Sequence, residues 1–96
     1  MAKRRQELHR LLDEDLRLTR WPKGQTMRLA ALTYLASKFR GDQEYSETAV
    51  NFLLRHWHTF NDPALLRREL FERGFIGRTL DGGRYWQMVP APIYGT

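Results

Sequence analysis

The chain has 96 residues, 42% of them hydrophobic, with three Trp, four Tyr, five Phe and no Cys. That is enough for one domain with a compact aromatic core, and it excludes disulfides, thiolate metal sites and cysteine nucleophiles. The net charge of +5 makes a polyanion a candidate partner, and the absence of any apolar run near ~18–20 residues argues against a membrane span.

The charge is unevenly placed. Residues 1–20 carry six Lys and Arg against four acids, residues 21–43 four against one, and residues 44–96 six against six. With no Cys and no apolar leader after Met1, a reducing cytoplasm is the expected location.

In chain order, Leu8, Leu11, Leu12, Leu16 and Leu18 predict an amphipathic helix over residues 6–18. Arg10 with Glu14, and Asp13 with Arg17, stand four apart and are expected to pair. The leucine stripe either covers the domain's own core or, through Leu8, Leu11 and Leu12, pairs with the same helix of a second copy. Pro22 keeps Trp21 out of the helical region and Gly24 loosens the residues after it, so residues 18–24 read as a linker. Trp21 is either a plug tying that linker to the body or a contact for a partner.

A second helix is expected over 26–39, with Ala31, Leu32, Leu35 and Phe39 on one face and Gly41 as its stop. Residues 43–45 form a short edge strand. Ser46 is a good N-cap and Glu47 suits the helix dipole. Val50, Leu53, Leu54 and Trp57 give the inner face of a third helix, with Asn51, Arg55 and His58 on its far side. Thr59-Phe60-Asn61 is the turn. Asp62-Pro63 opens a fourth helix, which Leu66 and Leu70 fix to the core and Gly74 ends. Two strands, 76–79 and 84–89, flank the hairpin loop Leu80-Asp81-Gly82-Gly83. Alternation sets Trp86 and Met88 on one face and Tyr85 and Gln87 on the other, with Trp86 expected inside beside Leu66 and Leu70. The tail 90–96 is expected to be extended or frayed.

This order predicts a mainly α chain with a small β-hairpin (α+β), a winged helix-turn-helix preceded by an extra N-terminal amphipathic helix. The expected divisions are 1–24, 25–89 and 90–96. The stretches Arg17-Leu18-Thr19-Arg20-Trp21-Pro22, Leu32 to Phe39, Tyr45-Ser46-Glu47, Asn51 to His58, Leu66 to Leu70 and Asp81 to Trp86 carry a family resemblance. Across residues 17–87 the chain resembles a bacterial family of unknown function, domain of unknown function 2087. The resemblance implies a winged-helix-like domain associated with transcriptional regulators, and it assigns no residue a role.

Catalytic chemistry finds little to work with. Ser37 and Ser46 sit in a helix and at a cap, and His56 and His58 are two apart, so they diverge and cannot share a metal. Asp13-Glu14-Asp15 also diverge around an axis, and no phosphate loop is present. No enzyme, no metal and no cofactor is therefore expected.

Double-stranded DNA is the leading expected partner. The fourth helix would enter the major groove, with Ala64, Arg68, Phe71 and Glu72 outward and Arg67 at the flank. Arg78 and Arg84 flank the wing, where they would hold backbone oxygens. Against this, Asp62, Glu69 and Glu72 cancel the arginines of that helix, and Arg68 is also placed to pair with Glu72. Lys23 and Arg28, with Lys3, Arg4 and Arg5, offer a second phosphate-following surface. The alternatives are a module that joins a homodimer or another regulatory protein, and a small-molecule sensor with its ligand among Trp21, Trp57 and Trp86.

Overall fold

The computed structural model describes residues 7–88, which form four helices and a three-stranded antiparallel sheet, an α+β arrangement. Helix α1 is described at residues 7–9. After it come α2 (Gln25–Ala36), β1 (Glu44–Tyr45), α3 (Glu47–Trp57), α4 (Pro63–Glu72), β2 (Ile76–Arg78) and β3 (Tyr85–Gln87). The residues 1–6, including Lys3, Arg4 and Arg5, and the tail from 89 onward lie outside the described residues. No helix among the described residues is long and apolar enough to cross a membrane.

The helix expected over 6–18 is not formed. α1 stops after His9, and its last turn tightens through Arg10, Leu11 and Leu12 N–H groups donating three residues back. Asp13 contributes to this: its carboxylate accepts from the N–H groups of Asp15 and Arg17, both at 2.9 Å. A short acidic side chain that bonds nearby backbone offers an alternative to the helical ladder. The chain then reverses through Leu16 at φ 63, and Leu12 bridges Leu18 in antiparallel fashion. Leu18 N–H donates to Trp57 O, and Leu18 O accepts from Thr59, so this segment is laid along the end of α3. Asp13 and Arg17 do pair, at 3.0 Å, across a turn and not along a helix.

The Arg17 N–H, with the Asp15 N–H and the Arg17 guanidinium, holds the Asp13 carboxyl below its ordinary value despite an opposing effect of burial. A lowered carboxyl stabilises the fold at pH values above the ordinary carboxylate range, and that contribution is lost as pH falls through the folded value. Replacing Asp13 by Asn should therefore lower the melting temperature at neutral pH. The gap to the parent chain should close as pH falls below the ordinary carboxylate range, which thermal melts across a pH series would show.

The caps read from sequence are in place. Ser46 accepts from Ala49 N–H at 3.0 Å, and Asp62 accepts from Leu65 N–H at 3.2 Å with Pro63 in the first turn. Each such cap is worth ~1 kcal/mol. Gly74, at φ 83, ends α4 in a left-handed cap. Gly74 N–H donates to Phe71 O and Phe75 N–H to Leu70 O, the paired bonds that satisfy a helix's last carbonyls.

The sheet order is β1-β3-β2. Tyr45 stands opposite Tyr85, and Gly77 opposite Trp86. The facing expected for β3 is inverted. Tyr85 is 1% exposed and belongs to the core, whereas Trp86 is half-buried and Met88 exposed. Register decides this: Tyr85 shares a face with its partner Tyr45, which packs edge-on against Phe39 of the inner layer at 5.2 Å. Trp86 falls on the outer face over Gly77, where a Cβ would come within 2.6 Å of its Nε1. Gln87 returns to the inner side and donates to Ala36 O at 3.0 Å and Phe39 O at 3.1 Å. It thereby adds a donor to carbonyls at and just past the end of α2. Gln87→Ala should cost about 1 kcal/mol, measurable by urea denaturation.

One cluster joins Leu8, Leu11 and Leu18 to Leu32, Leu35, Val50, Leu54, Leu66, Leu70, Ile76 and Tyr85. Leu8 and Leu11 are buried and Leu12 packs against the same cluster. Leu8, Leu11 and Leu12 thus cover the chain's own core, whereas Leu16 is 46% exposed. His58, expected on the far side of α3, is 3% exposed. It lies at the α3 C-cap in an extended conformation, which swings its ring under the turn.

Candidate nucleic-acid interface

Asp62 and Pro63 fix the start of α4, and Leu66 and Leu70, both 0% exposed, fix its inner side. That leaves Ala64, Arg68 and Glu72 outward and exposed. The β2–β3 hairpin stands beside this face. Between them is a cleft of about 350 Å³ lined by Ala64, Arg67, Arg68, Phe71, Glu72, Arg78 and Tyr85.

The hairpin loop is tightly organised. Gly82 N–H donates to Thr79 O and Thr79 N–H to Arg84 O. Asp81 accepts from the Thr79 hydroxyl at 2.6 Å and from Gly83 N–H at 2.9 Å, and these bonds, the Thr79 hydroxyl first, lower its carboxyl below the ordinary value. Gly82 has φ 72, a backbone that favours Gly.

The cationic residues do not form one surface. Arg68 is exposed and enters no ion pair among the described residues, so the expected pairing with Glu72 is not made. Arg78 lies 4.3 Å over the Phe71 ring, a cation–π contact that holds its guanidinium toward the cleft. Arg67 is turned inward instead: it donates to Asn51 Oδ1 and stands 3.8 Å from Glu47, clamping α4 to α3. Arg84 pairs with Glu44 at 2.9 Å, tying the start of β3 to β1. Arg28 donates to Pro22 O at 2.6 Å and covers Trp21, and Lys23 lines a separate cavity beside Trp21. Sequence reasoning missed Tyr85 as a wall of the cleft, and the Phe71 seat under Arg78. Only the packing of the hairpin against α4 brings those residues together.

A family model described as an uncharacterised protein conserved in bacteria, DUF2087, matches residues 17–87. The chain belongs to this family. No curated protein and no solved structure matches it significantly. The DUF2087 match starts at the Arg17 that braces Asp13 and ends at the Gln87 that serves α2. It therefore takes in every element from the turn before α2 through β3.

Other chemistry is sparse in this DUF2087 chain. No group of three or more His, Asp or Glu side chains that would hold a metal occurs among the described residues. Trp21 borders the cavity before α2 and Trp57 a groove along α3, while Trp86 covers Gly77. Trp57 and Tyr34 also sandwich Lys38, whose Nζ lies 4.0 and 4.5 Å from the two ring centres. The groove along α3 is lined by Tyr45, Ala49, Leu53 and Trp57 and bordered by Phe52, which is 74% exposed.

Proposed function

We propose that this chain is a winged-helix module that binds double-stranded DNA in a regulatory setting, with α4 in the major groove and the β2–β3 hairpin as the wing. The order of α2, β1, α3, α4, β2 and β3 with β3 central in the sheet supports the reading. The observation that carries it is the pair Arg68 and Arg78. They converge on one cleft between helix and hairpin, and neither is in an ion pair among the described residues. Arg68 is placed for a guanine edge or a phosphate, and Arg78 for a backbone oxygen beside it.

The test is duplex binding by fluorescence anisotropy across a salt series. Affinity should fall steeply with salt, and Arg68→Ala or Arg78→Ala should each reduce the logarithmic salt slope by about one. Arg67→Ala should instead lower stability and leave the slope unchanged. An absence of binding at low salt would overturn the reading.

A second reading is a protein-interaction module that docks a partner on α3. It is favoured by Phe52, the large apolar side chain left exposed beside an apolar groove. Phe52→Asp should abolish that association without lowering the melting temperature.

A further inference from the structure

We propose that the cavity beside Trp21 and Pro22 binds a small phosphomonoester carried on a flat organic body, of the class of nucleoside 5′-monophosphates. The cavity holds about 430 Å³, within the ~300–1,000 Å³ range of small-molecule sites. It shares no lining residue with the α4–hairpin cleft, and the inference does not rest on DNA binding.

Its apolar side is built from Leu11, Trp21, Pro22 and Met27, which suits a ring and not a free ion. Its charged side is Arg10, Arg20 and Lys23, with Glu7 as the one acid. All three cations are exposed, and none makes an ion pair among the described residues. Three cations against one carboxylate leave a surplus of two. A phosphomonoester carries a charge of about −1.5 to −2 at neutral pH and answers that surplus. A carboxylate or a nucleic-acid diester, with a single charge, leaves part of it unmet. The surrounding sequence sharpens the asymmetry: residues 16–41 contain six Lys and Arg and no acid.

The walls are preorganised. Thr19 donates to Leu11 O through both its N–H, at 2.8 Å, and its hydroxyl, at 2.7 Å. Arg28 holds Pro22 O at 2.6 Å and lies 5.2 Å over the Trp21 ring. Gly24, which also lines the cavity, caps α2 without a side-chain acceptor, so first-turn N–H groups add donors at the anionic end. Glu7 is placed to accept from a hydroxyl or ring N–H of the organic body.

The experiment is a titration of the full chain followed by two-dimensional ¹⁵N NMR, with the Trp21 indole signal assigned through Trp21→Phe. The probes are adenosine and guanosine 5′-monophosphate, adenosine, inorganic phosphate and a short DNA duplex. The expected result is a saturable shift of the Trp21 indole and the Gly24 and Met27 amides with a monophosphate. Adenosine and phosphate should each bind at least about tenfold more weakly. Arg20→Ala and Lys23→Ala should each weaken the monophosphate several-fold with unchanged melting temperature, and Arg68→Ala should have no effect. Inert monophosphates, or phosphate binding as well as the monophosphates, would overturn the proposal. So would a duplex that shifts these signals while the monophosphates do not. Duplex binding that depends on Arg68 and leaves the Trp21 indole unmoved bears on the DNA reading alone.

Discussion

Replacing His58 by Ala should destabilise the chain by about 3–4 kcal/mol, through two lost hydrogen bonds and the space left behind. The ring is 3% exposed and joins the end of α3 to the start of α4. Asp62 N–H donates to Nε2 at 2.8 Å. Nε2 must therefore be the acceptor, so Nδ1 carries the proton and donates to Leu54 O at 2.5 Å. The ring also meets Phe60 edge-on at 4.7 Å. Truncation strips a partner from the carbonyl and the N–H together, at the point where the angle between α3 and α4 is set. A domain of this size has only ~5–10 kcal/mol in total, so the melting temperature should fall by roughly 12–25 °C. Calorimetry would measure this, and a fall of only a few degrees would mean that the turn is held by other contacts. His58→Gln keeps one donor and one acceptor and should recover part of the loss.

The second large effect separates neighbouring residues on β3. Tyr85→Ala should cost about 3–5 kcal/mol, the range for a buried aromatic. Trp86→Ala, although it removes the larger ring, should cost only about 1–2 kcal/mol because that ring is half in water. Tyr85 is 1% exposed and sits opposite Tyr45, beneath the cleft that gathers Arg68 and Arg78. Its loss should therefore also weaken any ligand of that cleft, whereas Trp86→Ala should leave the cleft intact. Urea denaturation of both variants gives the order directly. If Trp86 proved the costlier loss, the facing of β3 and the Tyr85 wall of the cleft would both be wrong.

Much of the candidate interface was legible from residues 62–84, since Asp62-Pro63, Leu66, Leu70, Gly74 and the Asp81-Gly82-Gly83 loop place a helix beside a hairpin. Which arginines face the cleft was not legible. Arg67 and Arg68 are adjacent in sequence and differ by one helical step. That step sends Arg67 to Asn51 and Glu47 and leaves Arg68 outside. Arg84 reads as a free wing cation until β1 brings Glu44 beside it.

Local signals were enough to set the start of α3 and both ends of α4. Ser46, Asp62-Pro63 and Gly74 act on backbone groups one to four positions away, so no distant partner is needed to interpret them. The end of α1, the facing of β3 and the burial of His58 were settled by packing between remote segments. In each, local periodicity permits two outcomes of similar cost. The choice comes from a partner that the local pattern does not contain: the Trp57–Thr59 backbone for the stretch after α1, Tyr45 for β3, and the Leu18 backbone that bridges His58.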